Sequence, residues 1–371
     1  MKAPLRILSI DGGGTRGVIP ATILNCLKHD TGQDPVDLFD VIVGTSTGGI
    51  IASALLAGVP TERLVQLYQT EARAIFDDSP WDDLRDGFGK NLGADYSQKR
   101  LKKILTRLLG PTTLGDIHAR YQGNKILMVT SFDLNPVDEA GRPVNFRSVI
   151  YNSAFRRDEA QTLVDLALRT SAGPTYFPIY QQFIDGGVAI NHPAMAAVAF
   201  ALNCNDVPPG APAVYLKPTG VPKGLCMKSS ADVHVLSLSC GTSNMNYITR
   251  QEIQDRNGGN WGNLQWIKYL PDLLTEANVQ VSDYYVRQVL PDRNYLRIVP
   301  AFDDPAAPPL LRQINREKRG ISLDTTQRAV LDAMHTYAKD VYDTKKPQIL
   351  QWIRDSVRPA SPTERAPVVN S

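Results

Sequence analysis

Short, continuous apolar runs recur along the first half of the chain and predict its architecture. Segments 6–10, 41–43 and 125–134 are mostly apolar rather than strictly alternating, which is typical of strands buried on both faces of a parallel sheet. Between them, apolar residues fall three and four positions apart, as at 23–27, which predicts amphipathic helices. The pattern predicts an α/β protein of three layers, α/β/α, with a mostly parallel central sheet and helical additions at the C-terminal end.

The rhythm of strands and helices is interrupted once, in a stretch that holds five prolines and three glycines. Long irregular connections in compact domains are commonly lids or binding loops, so we interpret this stretch as a loop or lid insertion. We expect two helices near the end of the chain, at about 323–341 and 345–357, and then a disordered tail. The predicted division is a core at 5–203, the insertion at 204–230, the rest of the same domain at 231–357 and the tail at 358–371.

Composition limits the classes of function. Lys and Arg number 40 against 38 Asp and Glu, a formal net charge of +2, so a nucleic acid polymer is not an expected partner. No apolar run reaches the ~20 residues that span a bilayer, and the chain enters a strand at once, without room for a signal peptide. Four cysteines lie far apart without metal-ligand spacing, which predicts reduced thiols in a cytoplasmic protein with neither metal site nor cofactor; these are Cys26, Cys204, Cys226 and Cys240.

The first predicted strand runs directly into a glycine-rich loop, Asp11–Gly17. Three consecutive glycines before a helix expose backbone N–H groups at the helix N-terminus, which favours an anion. Two functions fit the loop: it holds a phosphate, or it stabilises the oxyanion of an acyl-transfer intermediate. Arg16 adds a positive charge beside either one.

The chain is organised around a second turn, in residues 38–58. The apolar run 41–43 is followed by Gly44, Ser46 and Gly48 and then by an apolar helical stretch. Strand, Gly-x-Ser-x-Gly and helix is the pattern of a nucleophile elbow, in which a sharp turn presents a serine. Glycines without Cβ let such a turn close, and the helix directs its N-terminal amides toward the serine.

A third glycine turn, Asp185–Gly187, follows the predicted strand that ends at Asp185. Because the carboxyl ends of parallel strands share one edge of a sheet, we expect Asp185 to meet Ser46 and the first loop there. None of the five histidines lies in a matching triad motif, and His192, seven residues after Asp185, is the one that merits a control mutation. We therefore predict a Ser46–Asp185 dyad, with partial burial raising the pKa of the aspartate toward that of a useful base.

These three turns, in this order, resemble the patatin-like phospholipases, and residues 170–178 and 191–193 resemble flanking stretches of that family. The resemblance covers about residues 5–200 and implies that 5–203 is a patatin-like catalytic core. It implies hydrolysis of ester-linked acyl chains from membrane phospholipids, with Ser46 as nucleophile and Asp185 as general base. It also implies an oxyanion hole built from the amides of Gly12, Gly13 and Gly14, and supporting motif positions at Asp11, Arg16, Gly17, Gly44, Gly48, Gly186 and Gly187.

Alternatives remain open at this point. The loop at 9–15 also resembles the first phosphate loop of actin-like sugar kinases, in which Asp11 would assist Mg²⁺. An interaction protein that retains the fold is another alternative. A third is the same hydrolase gated by a small-molecule activator, a cyclic nucleotide, in bacterial defence. The sequence does not predict an oligomeric state.

For a lipid hydrolase at the membrane periphery, transient contact with the membrane surface is expected, and two segments are candidates. A predicted helix that begins after Ser97 carries five basic residues, which contact anionic headgroups or form a solvated face. A second candidate is aromatic and contacts lipid or packs in the core. The basic residues are Lys99, Arg100, Lys102, Lys103 and Arg107, and the aromatic candidate comprises Trp261, Trp266, Tyr269 and Leu270.

Overall fold

A computed structural model describes most of the chain. The described residues are 4–72, 75, 98–138, 140–203, 225–227, 229–243, 248–255, 257–266, 269–318 and 320–356. Most of the predicted insertion at 204–230 and the whole predicted tail at 358–371 lie outside them, so both stay predictions. In this part of the chain, no helix is at once long and apolar enough to cross a bilayer.

Seven strands form one sheet, in the order β4-β3-β2-β1-β6-β7, with β5 also paired to β3. The pairs β1–β2, β1–β6, β2–β3 and β6–β7 are parallel, and β3–β4 and β3–β5 are antiparallel. The mostly parallel sheet predicted from the apolar runs is confirmed. The strands are β1 (Leu5–Ile10), β2 (Val41–Gly44), β3 (Ile126–Asp133), β4 (Arg147–Asn152), β5 (Phe183–Asp185), β6 (Val233–Leu238) and β7 (Tyr295–Ile298).

Helices cover both faces of the sheet. They are α1 (Val18–Thr31), α2 (Pro35–Leu38), α3 (Thr47–Leu56), α4 (Thr61–Gln66), α5 (Gln98–Leu109), α6 (Leu114–Arg120), α7 (Leu163–Thr170), α8 (Ala194–Asn203), α9 (Arg250–Asp255), α10 (Asn263–Trp266), α11 (Leu270–Val289), α12 (Pro309–Lys318) and α13 (Arg328–Asp355). Short 3-10 turns follow β1, at Gly14–Gly17, and β5, at Gly186–Val188.

The core lies in two layers because side chains alternate across each strand. In β1, Leu8 and Ile10 pack with α1, α3, α7 and α13 on one face. Leu5 and Ile7 pack with α8 and the end of α11 on the other. The three-layer fold with C-terminal helical additions is therefore confirmed.

The strand that carries Asp185 runs in the direction opposite to the one expected. β5 pairs with β3 in antiparallel register, with Asp185 opposite Ser131, so the expectation of a parallel strand end is wrong. Because β4 pairs with one side of β3 along 128–133, β5 occupies the other side, where β2 ends with Gly44 opposite Val129. β2 and β5 thus meet end to end beside β3, which brings together the residues that follow each of them.

Two further expectations are corrected. The two C-terminal helices are one, α13, with Pro347 inside it; proline usually ends a helix, but Ile349 and Trp352 after it pack into the same core as Tyr342 before it. Cys226 is bonded in a disulfide, whereas Cys26 and Cys240 are free and Cys204 lies outside the described residues. The disulfide removes the cysteine argument for a cytoplasmic location, since such bonds persist mainly in oxidising compartments.

Candidate active site

Ser46 sits at a strained turn between β2 and α3. Its backbone has φ 54° and ψ −124°, a region that L-residues rarely occupy and that costs about 1–3 kcal/mol. The N–H of Ser46 donates to Thr170 Oγ1 at 2.8 Å, and the hydroxyl of neighbouring Thr45 donates to Ile190 O at 2.6 Å. Residues from distant parts of the chain thereby hold the turn that the glycine pattern predicted.

The hydroxyl of Ser46 meets the carboxylate of Asp185. Ser46 Oγ donates to Asp185 Oδ2 at 2.6 Å, and Asp185 Oδ1 accepts from Gly187 N–H at 2.7 Å. Burial raises the pKa of Asp185 to about 6, although the bonds from Ser46 and Gly187 oppose that rise. The carboxylate is therefore a stronger base than an aspartate in water and still ionised at neutral pH.

No histidine takes part in this contact, although all five lie in the described part of the chain. His192, the candidate for a control mutation, is fully buried and bonds to Asp11 Oδ1 at 2.8 Å and to Tyr295 Oη at 3.0 Å. His335 bonds to Thr22 through Nδ1 at 2.8 Å. The proton of Ser46 therefore has a carboxylate as its direct acceptor.

The glycine loop lies against Ser46, but its three predicted donors are not equivalent. The N–H of Gly12 donates to Asn191 O at 3.1 Å, so it is engaged. The N–H groups of Gly13 and Gly14 have no hydrogen-bond partner among the described residues, and both glycines line the cavity in front of Ser46. Gly14 has φ +57°, and a Cβ there would collide with the carbonyl of Leu323. The geometry therefore favours Gly13 and Gly14 over Gly12.

Four of the remaining motif glycines are required by close packing. At each of them a Cβ would collide with neighbouring atoms: Thr47 and Tyr68 at Gly17, the backbone of Gly48 at Gly44, the carbonyl of Ile10 at Gly48, and Thr130 at Gly186. A side chain at any of these positions would force the first loop, the Ser46 turn or the Asp185 turn to move.

The side chain of Asp11 fixes the start of the glycine loop through buried polar contacts. Its carboxylate is buried, pairs with Arg297 Nη2 at 2.7 Å and bonds to His192 Nδ1 at 2.8 Å. Burial would raise the pKa of Asp11, but Arg297 and His192 outweigh it and lower the pKa. Arg16 lines the cavity and donates from Nε to Gly13 O at 3.4 Å. The Asp11 carboxylate is thus fully engaged in an ion pair with protein groups.

The sequence pattern did not identify the residues that clamp these turns from the C-terminal half. Asn278 of α11 donates to Gly187 O at 2.9 Å and accepts from Asn191 N–H at 2.8 Å. Ser282, one helical turn later, donates to His192 O at 2.7 Å. Leu323 accepts from Thr15 N–H at 2.7 Å. None of these residues lies in a glycine motif, so only their position in the fold reveals them.

The dyad opens into an apolar cavity of about 300 Å³. Ser46, Asp185 and the glycine loop form its polar end, while α5 and α11 supply apolar walls. Such a cavity, apolar with a few convergent polar groups, is typical of a site for an apolar ligand. The apolar lining includes Ile50, Leu101, Ile104, Leu105, Phe177 and Leu274.

A family model described as patatin-like phospholipase matches residues 8–198. The chain belongs to this family. The resemblance seen in the three glycine turns is confirmed, and membership implies a lipid acyl hydrolase that acts on lipid substrates.

Relatives resemble the chain over most of its length. Patatin-like protein 2 of Arabidopsis thaliana is 28% identical over 330 residues, 79% of this chain and 74% of the relative. Patatin-T5 of Solanum tuberosum is 27% identical over 384 residues, 92% of this chain and 90% of the relative. Among solved structures, the human GIVD cytosolic phospholipase A2 matches with a TM-score of 0.41 at 14% identity, over 95% of this chain and 60% of that one. VipD from Legionella pneumophila matches with a TM-score of 0.38 at 12% identity, over 92% of this chain and 67% of that one.

Proposed function

We propose that this protein is a serine hydrolase of the phospholipase A type, which cleaves ester-linked fatty acids from membrane phospholipids at the membrane periphery. Membership in the patatin-like phospholipase family supports the reaction class. The single observation that carries the residue assignment is the 2.6 Å hydrogen bond from Ser46 Oγ to Asp185 Oδ2 at the polar end of an apolar cavity.

The proposed reaction has two steps. Asp185 takes the Ser46 proton as Oγ attacks the ester carbonyl, and the N–H groups of Gly13 and Gly14 bind the oxyanion. The ester bond then breaks, and Asp185 returns the proton to the leaving lysophospholipid oxygen. In the second step Asp185 accepts a proton from water, which attacks the acyl-enzyme. The acyl–Oγ bond then breaks, Asp185 returns the proton to Ser46 Oγ, and the fatty acid is released.

The state of Asp11 weighs against the phosphotransferase alternative. That function needs an Asp11 carboxylate directed at Mg²⁺ on a nucleotide, yet both of its oxygens bond to Arg297 and His192. The cavity beside the glycine loop is lined mainly by apolar side chains, which suit an acyl chain better than a polyphosphate.

The proposal is tested with Ser46→Ala and a matched control, Ser53→Ala. Ser53 is a buried serine on the same helix, α3, and its hydroxyl has no hydrogen-bond partner among the described residues. A fluorophosphonate probe should label the wild type and Ser53→Ala but not Ser46→Ala. Fatty acid release from phospholipid vesicles should follow the same order. Fatty acid release by Ser46→Ala at the wild-type rate would overturn the assignment, and adding cyclic nucleotides to the vesicle assay tests the gated alternative.

A further inference from the structure

Helix α11 has two faces of opposite character. Its inner face carries Asn278 and Ser282, which bond to the catalytic turns, and Val286, which is fully buried. Its outer face is apolar although it is exposed, the reverse of the usual polar surface of a helix. The exposed apolar residues, which we call the apolar stripe, are Leu270, Leu273, Leu274, Ala277, Val281, Tyr284 and Tyr285.

The stripe is a continuous surface. Leu270, Leu274, Ala277, Val281 and Tyr284 follow one another at intervals of three or four residues, which places them on one side of the helix. Leu273 and Tyr285 lie three or four residues from members of this row and widen it. The six large side chains are each between 43% and 59% exposed. Contiguous exposed apolar surface of this kind marks a site of contact with a partner or a membrane.

The stripe leads into the catalytic cavity. Leu270 and Leu274 are members of the stripe and also line the cavity that contains Ser46. Helix α5 borders the same cavity with Leu101 and Ile104. The stripe and the apolar lining of the cavity therefore share two side chains, Leu270 and Leu274.

Helix α5 adds positive charge, which favours an anionic partner. Its inner face lines the cavity, and its outer face carries five exposed basic residues and no acidic one. Clusters of basic side chains such as these attract anionic lipid headgroups. Tyr284 and Tyr285 belong to a residue type that favours the boundary between headgroups and acyl chains.

We propose that the apolar stripe and the basic face of α5 are the surface with which this protein docks on an anionic phospholipid bilayer. The inference rests on the proposed function, since it places the cavity mouth against the substrate. A second copy of the chain on the stripe would instead cover Leu270 and Leu274 and close that mouth. The bilayer is the occupant that leaves the route to Ser46 open.

The first test measures vesicle binding separately from hydrolysis, in a Ser46→Ala background. Leu273→Asn, Val281→Asn and Tyr284→Asn are combined; none of these residues lines the cavity. Removing three half-exposed apolar side chains from the bilayer contact should lower the partition coefficient on phosphatidylglycerol vesicles by about a hundredfold. The matched control combines Val137→Asn, Val144→Asn and Phe146→Asn, three exposed apolar residues that do not line the cavity. Wild-type binding by the stripe variant, or an equal loss in the control, would overturn the proposal.

A charge arm tests the choice of lipid. Lys99→Gln with Lys103→Gln on α5 should weaken binding to phosphatidylglycerol vesicles by roughly tenfold at low salt and leave binding to phosphatidylcholine unchanged. The control pair is Lys318→Gln with Lys345→Gln, exposed lysines on α12 and α13. Equal losses in both pairs would mean that overall charge, not this surface, attracts the bilayer.

Docking and catalysis are separated with a soluble short-chain ester in the Ser46 background. The stripe variant should hydrolyse this ester at the wild-type rate while its rate on vesicles falls with its binding. If the wild type binds vesicles but cleaves neither substrate, the proposed function fails and the docking surface stands. If the wild type is a dimer that the stripe variant disrupts, and neither binds vesicles, the stripe is an interface between copies and the docking proposal fails.

Discussion

The two halves of the molecule contribute to the site in different ways. The half that ends with α8 supplies every group assigned to the reaction, namely Ser46, Asp185 and the glycine loop. The half that begins with β6 supplies none, yet Arg297, Asn278 and Leu323 hold the turns that carry those groups. The comparison teaches that each candidate reactive residue lies in a short local motif, whereas the alignment of these motifs is a tertiary property.

The largest expected effect comes from a substitution in the first half of the molecule. Asp185→Asn removes the proton acceptor of Ser46 and should lower kcat/KM on a soluble ester by at least about 10⁴-fold. The matched control is Asp158→Asn, since Asp158 is also buried with its pKa raised to about 6 but does not line the cavity. Steady-state kinetics on both variants measure the loss of kcat/KM, and circular dichroism checks that both variants are folded. Comparable losses in the two would show that burial of a carboxylate, not the contact with Ser46, was disturbed.

A smaller loss of kcat is expected from a substitution at the contact between the two halves, where Gly14 meets Leu323. Gly14→Ala places a Cβ against Leu323 O at φ +57°, which should displace one oxyanion donor and cost about 10²–10³ in kcat. Gly32→Ala is the control, because Gly32 has φ +67° with open space around it, so it carries the same backbone strain without the collision. Activity in Gly14→Ala equal to that of Gly32→Ala would contradict the role of this contact.

The second half alone is tested through Asn278. Asn278→Ala removes the bonds to Gly187 O and Asn191 N–H, which loosens the turn that fixes Asp185. We expect kcat to fall about 10–100-fold with little change in KM, since misplacement of a catalytic group affects the chemical step. Gln288→Ala, an exposed site on the same helix, should change neither value. A pH–rate profile displaced from that of the wild type separates positioning from simple destabilisation.

The smallest effect is a pH dependence that sharpens the assignment of the base. Asp185 must be ionised to accept a proton, and burial raises its pKa to about 6. kcat/KM should therefore be level above that pH and fall about tenfold for each unit below it. The Asp158→Asn protein should show the same profile. A plateau that extends unchanged down to pH 4 would exclude Asp185 as the titrating base.

Much of the fold, and the candidate site residues, could be predicted from the sequence because the signals are local. A continuous apolar run predicts a buried strand wherever it lies, and a sharp turn after that strand needs glycine beside the residue it presents. Gly44 and Gly48 meet this demand with contacts to each other and to Ile10. The three-layer fold and the family followed from such signals, and both are confirmed.

What only the tertiary structure decided depends on residues far apart in the chain. β5 pairs antiparallel with the side of β3 that β4 leaves open. The N–H of Gly12 is no longer an available donor because it bonds to Asn191 O. The clamp by Asn278 and the apolar stripe on α11 also depend on which face of a late helix meets the site. The sequence by itself determined the fold class and the candidate site residues, since local turns need particular residue types. Packing between distant segments decided the alignment of those residues and the surface around them.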